Sequence, residues 1–311
     1  MASKKKLLQA AAGSAGGAAL DVDDVFSTYL YDGTSSAQTI HNGISLGDNY
    51  HGPSGKFDGS SKLVRTSDLS GNADGKTFTF SAWVNYTDVS STQRIYSGGQ
   101  ENDGDFLIYL SSTGTITVLA HNTATTTTLQ YTSSTTLSAD TWHHVLFSFD
   151  MANSSNRYAY LDDVAMSGTY STYTNADIEF ANADHVIGSH PTISSQNFNG
   201  WMAEVFLDYT YRDLSTTSNR RLFITSGYLP ATGLASLNPI LYLPMGTASL
   251  GSNSGTGGDF TNTNVALDSN FGPFSGTGEG GLVWFKDRNF ANNHRLYDTA
   301  RGVRKYLDSS S

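Results

Sequence analysis

From Thr77 to Tyr86 the chain reads TFTFSAWVNY. Phe78, Phe80, Ala82, Val84 and Tyr86 share one parity; Thr77, Thr79, Ser81 and Asn85 share the other. Successive strand side chains point to opposite faces, so this alternation predicts a strand with one buried face. The same period runs through 105–121, which predicts a hairpin turning at Ser-Ser-Thr-Gly. The Thr-rich stretch 125–133 suits a strand. Further strands are expected over 143–150, 156–166, 183–189, 200–211 and 239–245. One helix is expected at about 215–226, capped by Ser215 or Thr216 and ended by Gly227. Many short strands with turn chemistry between them predict an all-β, two-sheet sandwich or jelly roll.

Composition narrows the classes. Charged residues are 15% of the 311 positions and aromatics 12%, which supplies a core without the charge density of a disordered chain. A formal net charge of −10 argues against nucleic-acid binding, which rests on Lys and Arg neutralising phosphates. Cysteine is absent, which excludes disulfides, thiolate metal sites and cysteine nucleophiles. No apolar run reaches the ~18 residues of a membrane span. The first 24 residues, rich in Ala and Gly, read as a flexible or docking arm; the broken apolar stretch after Lys4-Lys5-Lys6 falls short of a signal peptide.

The central blocks resemble one known family. Lys56–Leu69 (KFDGSSKLVRTSDL) followed by FTFSAWVNY, then LSADTWHHVLFSFD (137–150), NRYAYLDDVAM, ADHVIGS and FNGWMAEVFLDYTYRDLS stand in the order of a laminin-G-like, concanavalin A-like domain. Where that family usually has Asn-Gly in a hairpin, this chain has Asp162-Asp163. The resemblance implies an all-β, two-sheet antiparallel jelly-roll sandwich with a short helix.

The flanks resemble structural proteins of tailed phages, notably marine cyanophages, in VFSTYLYDGTSSAQTIHNGISL and in GEGGLVWFKDRN with the residues after it. In such proteins the two flank segments commonly run together. The expected organisation is therefore an arm at 1–24 and a first half-module at 25–51. The sandwich follows at 52–246, then a Gly/Ser/Asn-rich linker at 247–275 and a second half-module at 276–311. In the family the second half usually continues further, so this module is expected either to be incomplete or to be completed by another chain.

Four groups of residues carry candidate chemistry. The adjacent pair His143 and His144 lies on a strand, so alternation splits the rings onto opposite faces and denies them a shared metal. Glycosidase chemistry needs two carboxylates across one bond. The four glutamates (Glu101, Glu179, Glu204 and Glu279) begin no E-x-D-x-E pattern; simple alternation puts Glu204 and Asp208 on one face with Phe206 between them. Asp58, Asn102, Asp103 and Asp105 are candidate calcium ligands, since a hard cation wants oxygen donors. Tyr170, Tyr173, His190, Asn197 and Trp201, in two loop-like stretches, are candidate glycan contacts.

The expected function, resting on the resemblance, is a non-enzymatic virion protein made in the host cytoplasm. It is placed as a tail fibre, an appendage or a head decoration that displays a lectin-like sandwich to host surface glycans. Expected partners are other phage virion proteins and copies of itself in a homo-oligomer such as a trimer, with no nucleic acid and no membrane insertion. No cofactor is expected beyond the calcium just described. A capsid cement without ligand and a glycan depolymerase are the alternatives.

Overall fold

The computed structural model describes residues 53–100, 103–226, 228–269, 271–273, 282–285, 295–298 and 306–308. The chain forms two compact units, His51–Gly278 and a second drawn from Met1–Tyr50 with Glu279–Ser311.

In the larger unit two antiparallel sheets face each other. The first contains β1 (Ser54–Asp58), β3 (Thr77–Tyr86), β8 (Trp142–Asp150), β9 (Arg157–Leu161), β10 (Val164–Ala165), β13 (Asn199–Asp208), β14 (Leu241–Leu243) and β16 (Ala266–Asp268). Its order is β10-β9-β8-β3-β13-β1-β16, with β14 also on β13. The second contains β2 (Lys62–Arg65), β4 (Gln93–Gln100), β5 (Asp103–Leu110), β6 (Thr115–His121), β7 (Thr127–Thr136), β11 (Gly168–Tyr173), β12 (His185–Ile187) and β15 (Thr261–Thr263). Its order is β11-β7-β6-β5-β4-β12-β2-β15. The result is an all-β jelly-roll sandwich, as expected.

The alternation in β3 and β8 marks the faces correctly. Phe78, Phe80, Ala82, Val84 and Tyr86 of β3 join Val145, Phe147 and Phe149 of β8 in the core between the sheets. Phe78 meets Phe106 of the opposite sheet edge to face at 4.8 Å. The other face of the first sheet is not open to solvent, however. The segment after β13 folds back over it, and Leu214, Phe223 and Leu234 pack on Leu146, Phe206 and Tyr242. Both faces of β3 are therefore buried along nearly its whole length. Thr79 and Ser81 survive there because each is bonded, Thr79 to Ser148 and to the Thr210 carbonyl, Ser81 to the His144 ring.

Three local expectations change. The helix shrinks to one turn, Thr217–Arg220, with Thr216 at the cap position but no side-chain capping bond. The stretch read as loop around Tyr170 is β11, paired with β7. The stretch 247–275, expected as a linker, supplies β15 on β2 and β16 on β1. Its Leu250, Phe260 and Val265 enter the core. Its glycines permit close packing rather than freedom: a Cβ on Gly251 would lie 2.1 Å from the Phe260 carbonyl oxygen.

The second unit contributes β17 (Leu282–Phe285), β18 (Arg295–Asp298) and β19 (Tyr306–Asp308), an antiparallel sheet in that order. The expected arm and first half-module lie outside the described residues.

Candidate functional site

Pairing of β8, β3 and β13 aligns side chains across three strands. Asn85 is opposite Trp142 on one side and Trp201 on the other. Beyond Trp201 the row continues to Lys56 of β1 and Ala266 of β16. These residues share the outer parity of the sheet, away from the main core, and the Trp83 cluster with Ala203 and Ile224 borders them.

Each member of the row is fixed. The Trp201 indole N–H donates to Asp268 Oδ2 at 3.1 Å, and Lys56 Nζ lies 5.3 Å from its ring centroid. The Phe271 ring sits 4.4 Å from Trp201 and 6.0 Å from Trp142, spanning the row. Asn85, between the two tryptophans in register, is 1% exposed. Asn85 Oδ1 and Trp142 Nε1 are both buried without a hydrogen-bond partner. Gly200, beside Trp201, has φ 145, and a Cβ there would lie 2.0 Å from the Asn85 carbonyl oxygen. The close approach of β13 to β3 thus demands glycine at this point.

The residues singled out from the sequence fall into different places. Trp201 is in the row. Asn197 secures its own loop, accepting from Ser189 Oγ at 2.6 Å and donating to the carbonyls of Gly59 and Ser194. Tyr170 and Tyr173 pack against the core at 5.8 Å from each other, with the Arg157 guanidinium 4.2 Å over Tyr170. Tyr173 Oη donates to the Asp150 carbonyl. His190 is 1% exposed, and its Nδ1 accepts from the Thr192 N–H at 3.2 Å. Sequence reasoning missed Asn85, Trp142 and Phe271 as neighbours of Trp201. The alternation placed Asn85 and Trp142 on the right parity, but only strand register brings them into line.

Among the candidate calcium ligands, Asp58 closes an Asx turn. Its Oδ1 accepts from the N–H groups of Ser60 and Ser61 and from Ser60 Oγ. These bonds hold its carboxyl down at about pKa 2. Asp105 is buried, with Oδ2 3.9 Å from His190 Nε2. Asn102 lies outside the described residues, and the Asp103 side chain is not described. Among the described residues no group of three or more His, Asp or Glu is arranged to hold a metal ion.

The paired histidines are both buried and separately tied. His143 Nδ1 is 2.8 Å from Asp162 Oδ2, and its Nε2 is 3.0 Å from Ser138 Oγ. His144 Nε2 is 2.8 Å from Ser81 Oγ, and the ring lies 4.9 Å from Trp83. Burial pushes the His144 pKa down to about 4, so this ring stays neutral near pH 7. Asp162 and Asp163, both with positive φ, form the tight turn between β9 and β10.

Glu204 departs from the alternation expected of β13. It has φ 54, and the β13–β3 register shifts between Ala203 and Phe206. This bulge inserts one residue, so Glu204 and Asp208 are no longer related by simple parity. Phe206 joins the outer cluster, while Val205 and Leu207 join the core. Glu204 Oε2 accepts from Tyr242 Oη at 2.5 Å, and burial raises the carboxyl to about pKa 7. Asp208 is paired with Arg212 at 2.6 Å. The two acids therefore have separate structural partners.

With this geometry in hand, residues 58–208 match the family described as the Concanavalin A-like lectin/glucanases superfamily, in its Laminin_G_3 branch. This span is somewhat under half of the chain, and over it the sequence is similar to that family. Among solved structures, a protein from Bacteroides ovatus ATCC 8483, provisionally assigned as carbohydrate binding, superposes with TM-score 0.54 at 16% identity. That match covers 73% of this chain and 62% of the Bacteroides chain, so this chain spans under two thirds of its length. The heptameric SAP-like pentraxin of Limulus polyphemus gives TM-score 0.47 at 10% identity, covering 72% and 96%. Domains LG4-5 of the mouse laminin α1 chain give 0.38 at 14% identity, covering 53% and 44%. No curated protein matches the sequence.

Proposed function

We infer that this protein is a non-enzymatic structural component of a phage virion whose sandwich adheres to glycans of the host surface. The observation that carries the adhesive half is the match of residues 58–208 to the Concanavalin A-like lectin/glucanases superfamily, whose name is shared by binders and hydrolases of carbohydrate. It is supported by the shared fold of the Bacteroides protein assigned to carbohydrates. The virion half is supported by the resemblance of both flanks to tailed-phage structural proteins. In this reading the flanks attach the chain to the particle as a tail fibre, an appendage or a head decoration. Self-association into a trimer or similar oligomer would multiply weak sugar contacts into useful avidity. Calcium, if bound, would be held by oxygen donors of the sandwich loops.

Deleting residues 51–278 from the phage gene tests this reading. Particles that assemble but adsorb poorly to host cells support adhesion. Particles that fall apart identify a cement protein instead. Particles that assemble and adsorb as before overturn the adhesive role.

A further inference from the structure

We propose that the outer row Trp142–Asn85–Trp201 is the glycan subsite of the sandwich, taking a neutral pyranose ring in the place now held by the Phe271 side chain. This deepens the adhesive reading above and rests on it.

Phe271 spans the two indoles, at 4.4 Å from Trp201 and 6.0 Å from Trp142. Shape and apolar contact are thus satisfied by a flat six-membered ring. Two polar atoms of the row itself are left unpaired. Asn85 Oδ1, 99% of whose residue surface is buried, needs a donor; Trp142 Nε1 needs an acceptor; both lack one. A phenyl ring supplies neither, and a buried polar atom left unpaired costs about 1–3 kcal/mol.

A pyranose supplies all three features at once. Its C–H faces pack on indole rings as Phe271 does, and its hydroxyls both donate and accept. A hydroxyl can donate to Asn85 Oδ1 while another accepts from Trp142 Nε1. Lys56, over the Trp201 ring, and Asp268, on the Trp201 N–H, flank the row with opposite charges, which favours a neutral sugar over a charged one. The row is rigid: β3 is the centre of its sheet, and the close approach at Gly200 fixes Trp201 against Asn85. Preorganised walls lower the ordering cost of binding. Phe271 competes with the sugar for one place, so its removal exposes the polar wall.

The test uses the full chain and an array of neutral bacterial surface oligosaccharides, with affinity for array-positive sugars measured by tryptophan fluorescence titration. Four proteins are compared: the natural chain, Phe271→Ala, Asn85→Ala and Trp142→Phe. The expected result is that Phe271→Ala binds more tightly than the natural chain. Asn85→Ala and Trp142→Phe should each weaken binding about 5- to 10-fold, the equivalent of one lost hydrogen bond. A gain in Phe271→Ala cannot arise from unfolding, which keeps the test decisive if Asn85→Ala proves unstable. Saturable binding unchanged in all three variants overturns this subsite while leaving the adhesive reading intact. Tighter binding by the natural chain than by Phe271→Ala also overturns it. No binding by any of the four proteins overturns the subsite, and silence on charged surface glycans as well overturns the adhesive reading with it.

Discussion

Asp162 holds His143 at 2.8 Å through the ring Nδ1, and with its other oxygen it accepts the backbone N–H of His144 at 2.7 Å. One carboxylate, in the β9–β10 turn, therefore fixes both residues of the histidine pair on the neighbouring strand β8. The neighbour Asp163 accepts from Arg220 and from Arg221, each at 2.7 Å, and so ties the turn to the segment that covers the sheet. Both aspartates accept a left-handed backbone, φ 50 and 62, that glycine or asparagine adopts more easily. The strain is offset by four hydrogen-bonding partnerships that Asn-Gly would not provide in the same form.

Two substitutions separate these contributions. Asp163→Gly relieves the backbone, worth about 1 kcal/mol, but leaves two arginines without their carboxylate. Asp162→Ala keeps the strain and strips His143 and the His144 N–H. Urea unfolding should show both variants less stable than the natural chain, Asp162→Ala by about 2 kcal/mol. A more stable Asp163→Gly would show that turn strain outweighs the ion pairs.

Two buried titrations oppose each other. The His144 pKa falls from 6.5 unfolded to about 4 folded, so the unfolded chain binds the extra proton between those values and stability rises with pH there. The Glu204 pKa rises from 4.5 to about 7, so the folded chain binds the extra proton and stability falls as pH rises from 4.5 to 7. Each effect is on the order of 3 kcal/mol when fully developed, at about 1.4 kcal/mol per pH unit. They cancel over most of the shared window. Thermal melts of Glu204→Gln should reveal a stability that climbs from pH 4.5 to 6.5. Melts of His144→Asn should reveal one that declines from pH 4.5 to 7. Parallel profiles in the two variants would contradict these assignments.

Gly200→Ala places a Cβ 2.0 Å from the Asn85 carbonyl at φ 145, where no side-chain rearrangement relieves the clash. A loss of about 4 kcal/mol or more is expected, read as failure to accumulate soluble protein on expression. Normal yield with an unchanged melting temperature would show that β13 can shift away from β3.

A chain ended after Gly246 should lose cooperative unfolding, whereas one ended after Gly278 should keep it. The difference is β15, β16 and the core residues Leu250, Phe260 and Val265. Circular dichroism melts of the two truncations decide this. A cooperative melt from the shorter chain would restore 247–275 to the status of a linker.

The strands within 247–275 were hidden in the sequence. Strands with strict alternation were legible: 77–86 was bounded correctly because five apolar residues of one parity leave little choice. Thr261–Thr263 and Ala266–Asp268 were not legible, since three-residue edge strands carry too little pattern and glycine there reads as flexibility. The Glu204 bulge was invisible because alternation presumes a regular register. Trp201 was singled out by residue type alone. Its partners Asn85, Trp142 and Phe271 lie 116, 59 and 70 positions away in the chain. Only the pairing of β3, β8 and β13 and the return of residue 271 make them neighbours. A site assembled across strands leaves no local motif.

The central claim is that this sandwich binds glycans, and a glycan array probed with the purified full-length chain tests it most directly. The account predicts saturable binding to a restricted set of bacterial surface oligosaccharides, competed by the free sugar. Uniform absence of binding across the array, from a chain that melts cooperatively, would contradict it.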